Sequence, residues 1–446
     1  MAGHRSFLPP ALAALGLFWA APLLRSQPAP GPAAAPAADD LYSFHTQATW
    51  IDQGHPSFTS PYEGPNSLTG QSQAERTFSF SLFTGLRLME GLQLYYDPEF
   101  FQGHGLSNTL GMAGFPNGEA VKAAFPNLHY NTSRLYLQET FGLGGDRETV
   151  DSGPNQVAFS RDVNHITLSI GKFAASDFFD ANAYSHDTRS QFLNWALWES
   201  AAWDYPADVV GYTAGFVAEW YTKSWVLHYG LFMEPTVSNG PTLDKHLLDA
   251  HGQVLEFDRN YQAAGRSGTV RPFVFWNEAR MGNYQDALAS ESGDLLATRA
   301  YRSKVGFGVS WDQEVADNLG AFVRLSWDDG RSESFTFTEV DRSAAAGLSL
   351  KGARWGRPDD VFGLAGVVNA IVGSHQAYLA AGGTEGLILG DGALSYGPEE
   401  ILETYYSLQA TKWLSLSPDF EYAVHPGYNR ARGPVPIYSL RAHVAF

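Results

Sequence analysis

Residues 438–446 read YSLRAHVAF and alternate between two kinds of side chain. Successive side chains of a β-strand point to opposite faces, so this segment presents one apolar row and one more polar row. The apolar row is Tyr438, Leu440, Ala442, Val444 and Phe446, and the other row is Ser439, Arg441, His443 and Ala445. Chain ends of soluble proteins usually fray, whereas the last strand of a membrane barrel pairs with the first so that no edge stays open. The segment favours such a barrel over a soluble β-sandwich.

The same alternation recurs upstream at the spacing of β-hairpins. The segments are 78–88, 134–141, 165–173, 212–220, 304–311, 319–327 and 414–424. Their second face carries Ser, Thr, Gly, Arg and Glu, and aromatic residues cluster near strand ends, as the girdles of a membrane barrel require. The aromatic residues concerned are Trp220, Trp311, Trp327, Tyr422 and Phe446. Together these features predict an all-β, transmembrane antiparallel β-barrel.

The connections between the predicted strands are unequal in length. Residues 328–330 form a short turn, whereas residues 103–120 and 174–197 are long and rich in Gly, Asn and Asp. Short periplasmic turns and long extracellular loops are typical of outer-membrane barrels. Within the second long loop, residues 177–187 are dense in Asp, Asn and aromatic side chains and are one candidate for a segment that folds into the lumen, but the sequence does not indicate which loop constricts it. Residues 192–205 follow helical spacing and predict a short helix packed in that loop.

Composition excludes several classes of protein. The chain has 446 residues and no Cys, which excludes disulfides, thiolate metal sites and a Cys nucleophile. Its net charge of -18 argues against a nucleic-acid partner, because no basic stripe neutralises phosphates. After the N-terminus, no apolar run reaches the roughly 18 residues that a spanning helix needs. His residues show no metal-ligand spacing, and no cofactor or metal is expected.

Residues 1–38 predict export. A charged start and an apolar run to Leu24 are followed by an Ala/Pro-rich tract, which is typical of a signal peptide and a flexible spacer. An uncleaved membrane anchor is the alternative. From residue 39 to residue 446 the composition stays uniform, so we predict a single barrel domain there.

Six longer strings identify a family resemblance. They are residues 55–68, 105–120, 171–197, 337–343, 378–392 and 426–446. They resemble the carbohydrate-selective porin family of the OprB type, over about residues 41–446. The resemblance implies a 16-stranded barrel in the outer membrane of a Gram-negative bacterium, surrounded by lipid. It also implies passive diffusion of glucose and other small saccharides, without a cofactor, and leaves monomer and homotrimer open.

A pore for neutral sugars needs hydrogen-bonding side chains and aromatic faces at its constriction. Alternation places ten candidates on the inward face: Arg87, Gln93, Arg134, Gln138, Glu219, Lys304, Arg324, Asp419, Glu421 and Arg441. Arg87 and Arg134 are predicted to lie at mid-strand, near the bilayer midplane, and are the preferred candidates. The alternative for each residue is that it only solvates the lumen wall.

Two other functions are consistent with the same pattern. A general diffusion porin would show no preference for sugars, and a secreted saccharide-binding or saccharide-hydrolysing β-protein would be soluble. Adjacent acids such as Glu399 and Glu400 are interpreted as solvated loop charges rather than a glycosidase pair. No nucleophile elbow or zinc helix is present, and we predict no enzymatic activity.

Overall fold

The computed structural model describes residues 40–122, 124–337 and 339–446, so the predicted signal peptide and spacer, residues 1–38, lie outside it. Across these ranges, sixteen antiparallel strands close into one barrel, which confirms the predicted fold. The barrel strands are β1 Tyr42–His55, β2 Gln73–Met89, β3 Leu92–Gly103, β4 Phe125–Gly142, β7 His165–Phe173, β8 Thr213–Tyr221, β9 Trp225–Met233, β10 His251–Ala263, β11 Arg266–Met281, β12 Ala300–Ala316, β13 Leu319–Asp328, β14 Arg342–Gly352, β15 Arg357–Ala370, β16 Glu399–Gln409, β17 Leu414–Val424 and β18 Val435–Ala445. The remaining pair, β5 Arg147–Val150 and β6 Phe159–Asp162, forms a separate hairpin.

The barrel closes between its first and last strands. β18 pairs antiparallel with β1, so that Arg441 lies opposite Ile51. Beyond the ladder, the backbone N–H of Phe446 donates to the carbonyl oxygen of Thr46 at 2.9 Å, and the reverse bond is 3.1 Å long. Closure leaves neither strand with an unpaired edge, which a membrane-spanning sheet requires. The alternative of an open β-sandwich is therefore wrong.

The two faces of the wall have opposite chemistry. On β4, Leu135 and Leu137 are 47% and 39% exposed, whereas Tyr136 between them is 6% exposed. The same alternation continues to β18, where Leu440 is exposed and Arg441 is buried. An apolar outer face and a polar inner face are the arrangement of a barrel immersed in lipid.

The aromatic girdle is partly as predicted. Trp220, Trp327 and Tyr422 lie within two residues of the ends of β8, β13 and β17. Trp311 instead lies five residues before the end of β12, because that strand continues to Ala316. The alternation of side chains fixes the face on which an aromatic residue lies but does not fix its depth in the membrane.

The two rims differ in the length of their connections, as predicted. Residues 328–330, however, are not a short turn, because β13 ends at Asp328 and residues 329–330 begin the longer connection 329–341. One rim carries the turns 90–91, 222–224, 264–265, 317–318, 353–356 and 410–413. The other carries eight loops: L1 56–72, L2 104–124, L3 174–212, L4 234–250, L5 282–299, L6 329–341, L7 371–398 and L8 425–434. The rim with short turns faces the periplasm in such barrels. One periplasmic connection is an exception: residues 143–164, which we call the periplasmic insertion, contain the β5–β6 hairpin.

The helical structure of the described residues lies in the loops, apart from one 3-10 turn in the short connection 353–356. Short helices are α1 Trp195–Trp198, α2 Tyr284–Ala289 and α3 Gly373–Ala380, with 3-10 turns at Leu106–Asn108, Gly118–Val121, Ala175–Asp177, Leu296–Thr298, Ala353–Trp355 and Pro426–Tyr428. α1 confirms a helix within residues 192–205, although it is much shorter than that segment. None of the helices in the described ranges is long and apolar enough to cross a membrane.

Candidate functional site at the barrel constriction

L3 enters the barrel and is held against the inner wall of β10 to β13. The backbone N–H of Asp180 donates to the Glu256 carboxylate at 2.8 Å. The Arg324 guanidinium donates to the carbonyl oxygens of Asp180, at 2.7 Å, and Leu197, at 3.0 Å. These wall residues are almost fully buried, so each bond is made away from bulk water. Buried polar groups with fixed partners favour one loop conformation.

The same loop reaches the opposite wall. Glu403 on β16 accepts the backbone N–H groups of Leu193, at 2.6 Å, and Asn194, at 3.0 Å. Arg441 on β18 donates to the carbonyl oxygen of Thr188 at 2.7 Å. L3 therefore crosses the lumen from β7 to β16–β18 and narrows the channel. Residues 177–187 thus belong to a loop that folds inward, a possibility that the sequence left open among the long loops.

Glu99 on β3 joins L2 and L3 to the wall. Its carboxylate is fully buried and accepts a hydrogen bond from Arg189 of L3 at 2.7 Å. Lys122 of L2 lies 3.7 Å from the other carboxylate oxygen, which also accepts from the Tyr212 hydroxyl. Removing one partner of a buried ion pair leaves an uncompensated charge, which makes the group of four interdependent.

Arg134 lies at the middle of β4 and points inward. Its Nη2 is 2.5 Å from Oδ1 of Asp177 in L3, and its Nε is 2.8 Å from Oδ2, so the pair is bidentate. Asp97 on β3 lies 3.5 Å from the same guanidinium, whose carbon lies 5.5 Å from the centre of the Tyr212 ring. The paired fork geometry fixes the orientation of Arg134 as well as its charge.

These groups surround a cavity of about 360 Å³ between L2, L3 and β4. Its charged lining consists of Glu119, Lys122, Arg134, Asp177, Asp187 and Arg189, and its aromatic lining of Trp195, Trp198, Tyr205 and Phe337. Asn194 accepts the N–H of Ala196 at 3.1 Å and so caps α1, which carries both tryptophans. The Trp195 ring stacks on Tyr205 at 5.8 Å and meets Trp198 edge-on at 4.7 Å. The cavity thus combines fixed charges of both signs with aromatic faces.

The charge states of the loop groups follow from their neighbours. Burial opposes the charged form of Lys122, but Glu99 and Tyr212 outweigh it and raise the pKa of the ammonium above its usual value. Burial, with Arg324 nearby, lowers the pKa of His186. At neutral pH the constriction therefore holds a charged Lys122 and a neutral His186.

Nine of the ten sequence candidates divide into three groups by position, and the tenth, Arg87, is described separately below. Arg134 lines the constriction cavity, as predicted for a mid-strand residue. Gln138 and Glu219 line a second cavity, described below. Gln93, Lys304, Arg324, Asp419, Glu421 and Arg441 are buried on the inner face. Four of these six bind L3: besides Arg324 and Arg441, Lys304 bonds Asp204 at 2.8 Å and Glu421 bonds Asn194 at 2.6 Å.

The mid-strand placement of Arg87 is wrong. Arg87 lies two residues before the end of β2, at the periplasmic rim, where it contacts the carbonyl oxygen of Asp40. β2 begins at Gln73, so the alternating segment 78–88 is only the periplasmic part of a longer strand. The interpretation of Glu399 as a solvated loop charge is also wrong. Glu399 is buried in β16 and accepts the backbone N–H of Gly114 at 2.7 Å.

Several residues of the constriction were missed from the sequence. Lys122, Arg189 and the L3 aromatics lie in loops, where no periodicity indicates which way a side chain points. The available signal was the density of Asp and aromatic residues in 177–187, which contains Asp177. Glu99 sits beside Pro98 at a register shift of the β3–β4 ladder, which interrupts the alternation used to assign faces.

A closed barrel with an apolar outer face, short turns on one rim and an inward-folded loop defines an outer-membrane porin. Comparison with known proteins agrees. A model of the carbohydrate-selective porins, OprB family, matches residues 66–446, and the chain belongs to this family. The protein is thus a porin of the outer membrane of a Gram-negative bacterium.

Individual relatives are distant. The porin AaxA of Chlamydia abortus is 22% identical over 321 residues, which cover 71% of this chain but only 63% of that protein. The high-pH structure of Pseudomonas putida OprB aligns with a TM-score of 0.69 and 16% identity, covering 91% of this chain and 94% of its own. The channel DcaP of Acinetobacter baumannii aligns with a TM-score of 0.53 and 10% identity, covering 91% and 97%. At such identities the two structures support the fold alone.

Proposed function

We propose that the protein lets glucose and other small neutral saccharides diffuse passively through the constriction formed by L3. The observation that carries this proposal is the cavity in which Arg134, Asp177 and Arg189 face Trp198 and Tyr205. Family membership supports the same class of solute. Diffusion down a concentration gradient needs no cofactor, and none is part of the proposal.

The charges suit a neutral solute that is dense in hydroxyls. Each cation in the lining has a carboxylate within ion-pair distance: Arg134 has Asp177, Arg189 has Glu119 at 3.1 Å, and Lys122 has Glu99 at 3.7 Å. Paired charges offer fixed donors and acceptors to sugar hydroxyls while their long-range fields offset one another. A cavity lined in this way does not favour ions of one sign.

The aromatic rings of the cavity are suited to contact the apolar C–H face of a sugar. Trp198 is partly buried and lines the cavity, and Trp195, which also lines it, is packed against Phe115 at 4.8 Å. A large ring held rigidly offers contact area to the C–H face of a pyranose at little cost in side-chain entropy. In this proposal α1 supplies the stacking surface and β4 supplies the hydrogen-bonding groups.

Two further expectations complete the proposal. The inward-facing candidates that bind L3, such as Arg324 and Arg441, act by holding the constriction in shape rather than by touching sugar. Assembly as a homotrimer stays a prediction from the family resemblance.

Swelling of proteoliposomes tests sugar preference against general diffusion. Swelling rates would be compared for glucose and for neutral amino acids of smaller size, with protein-free liposomes as the blank. We expect glucose to enter as fast as, or faster than, the smaller amino acids, because binding at the constriction raises its local concentration. Entry rates that fall simply with solute size would favour a general diffusion porin and overturn the proposal.

A further inference from the structure

The periplasmic insertion folds back into the barrel. β5 and β6 pair outside the wall, from Arg147 opposite Asp162 to Val150 opposite Phe159. The segment between them then enters the lumen, where Val157 is fully buried against Tyr95. A connection that only joined two strands would need a few residues on the surface.

A second cavity, of about 340 Å³, lies between this insertion and the inner wall. The insertion contributes Asn155, Gln156 and Arg161 to its lining, and the wall contributes Gln138, Thr167 and Glu219. These residues offer a guanidinium, a carboxylate, amides and a hydroxyl to one small space. The set has the same hydrogen-bonding chemistry as the constriction.

Aromatic rings also line this second cavity. Tyr95 and Tyr136 stack with their centres 5.0 Å apart. The Arg161 guanidinium carbon lies 5.6 Å from the centre of the Tyr221 ring, so the cation and the ring are presented together. Flat rings beside fixed donors are the arrangement that recognises a sugar by both its C–H face and its hydroxyls.

Two polar atoms of residues that line this cavity lack hydrogen-bond partners within the described ranges. Oγ1 of Thr167 and Oδ1 of Asn155 are buried and have no hydrogen-bond partner in the part of the chain that the structure describes. Buried polar atoms normally have partners, and an unpaired one costs free energy. Both residues line the second cavity, so a hydroxyl-rich solute bound there would lie beside these unpaired atoms.

The two cavities adjoin along the channel. Asp177 lines both of them. On the inner face of β4, Arg134 lines the constriction and Gln138, four residues nearer the periplasmic end, lines the second cavity. At about 3.3 Å per residue these two positions are about 13 Å apart. A sugar that passes the Arg134–Asp177 pair therefore meets the second cavity next.

We propose that this cavity is a second saccharide subsite, periplasmic to the constriction, and that the periplasmic insertion exists to form one of its walls. The proposal rests on the proposed sugar-porin function. With this subsite the channel has two binding sites, and a sugar moves from the constriction to the site beside the insertion before it is released.

Single-channel recording with glucose in the bath tests the subsite. Two sites of different lining give two classes of sugar-blocked dwell time in the wild-type protein. Gln156→Ala removes one amide, together with its hydrogen bond to the carbonyl oxygen of Asp151. Arg161→Ala removes the guanidinium, together with its ion pair to Glu148. We expect each variant to shorten one dwell-time class about tenfold, the effect of losing a hydrogen bond to a charged or well-placed group, and to leave the other class unchanged. Thr149→Ala, at an exposed position of β5, is the matched control and should retain both classes.

The outcomes separate this proposal from the function on which it rests. A single dwell-time class that neither insertion variant changes would overturn the second subsite while leaving the sugar pore intact. Equal shortening of every class would also overturn it, because that result indicates a general change in the pore. Absence of any glucose block from the wild-type channel would instead contradict the proposed function.

Discussion

Arg134 of β4 and Asp177 of L3 form a bidentate ion pair inside the barrel, with nitrogen–oxygen distances of 2.5 and 2.8 Å. The pair ties the first turn of L3 to the wall strand from which the cavity is built. It also holds the guanidinium at the cavity surface in a fixed orientation. One contact thus positions the loop and presents the group that is proposed to bind sugar.

Replacing Arg134 should weaken sugar binding. Arg134→Ala removes a fixed donor from the constriction and leaves Asp177 without its partner. We expect the glucose concentration for half block of the channel to rise about tenfold, since a hydrogen bond to a charged group contributes about 1.5 kcal/mol or more. Leu135→Ala, on the lipid side of the same strand, is the control. If the same glucose concentration half-blocked both variant channels, Arg134 would have no role in sugar binding.

Replacing Trp198 should affect sugars more than ions. Trp198→Ala removes the ring at the cavity while Trp195 and Tyr205 still hold α1 in place. We expect the ionic conductance to rise, because the channel is wider, and glucose block to weaken about tenfold, since an aromatic contact contributes on the order of 1 kcal/mol beyond its buried area. A variant with unchanged block would show that the indole face does not contact sugar.

Breaking the contact between L3 and β16 should widen the pore. Glu403 accepts two backbone N–H groups of the loop, and Glu403→Ala leaves both unpaired at a cost of about 1–3 kcal/mol each. We expect larger and noisier single-channel currents and faster proteolysis within L3. Glu400→Ala is a close control, because Glu400 is the exposed, outward-facing acid three residues before Glu403. Currents alike in the two variants would show that Glu403 does not anchor the loop.

The extracellular loops should lose stability as the pH rises. His375 of α3 is fully buried, with its ring nitrogens 3.3 Å from Glu339 and 3.5 Å from Asp341, and it stacks on Tyr284. Burial alone would lower the pKa of His375, but the two carboxylates outweigh it and raise the pKa to about 9. The folded-state pKa is thus above the unfolded value of about 6.5, so the stabilisation is complete below about pH 6.5 and is lost between about pH 6.5 and 9.

Thermal unfolding at several pH values checks this expectation. The wild-type protein should exceed His375→Gln by on the order of 3 kcal/mol near pH 6, and the difference should shrink steadily toward pH 9. His246→Gln, an exposed histidine of L4, serves as the control. A gap between wild type and His375→Gln that stays constant from pH 6 to 9 would mean that His375 is not the titrating group.

The wall of the barrel was predictable and its interior was not. Alternation at Tyr438 to Phe446 predicted both the closing strand and its inward face, because period 2 is a local property of the chain. The depth of a side chain along the barrel axis is not a local property of the sequence. Arg87 and Arg134 both point inward in the alternation, yet only Arg134 reaches the constriction. The position of a residue along its strand depends on where the strand begins and turns, which a short alternating segment does not show.

The loops carried most of the site, and their contacts join residues far apart in the chain. Arg189 meets Glu99 and Leu193 meets Glu403, across 90 and 210 positions respectively. Such pairs leave no periodic trace in the sequence. The candidates Lys304, Arg324, Glu421 and Arg441 were assigned to the correct face, but their observed partners are L3 atoms, which only the folded loop reveals.

The measurement that tests the central claim most directly is the conductance of purified, refolded protein in a planar bilayer while glucose is titrated into the bath. We expect small single-channel currents and block that saturates with glucose concentration in the millimolar range, weakened by Arg134→Ala and unchanged by Leu135→Ala. Large currents that no sugar reduces would contradict a sugar-binding constriction and leave a general diffusion porin.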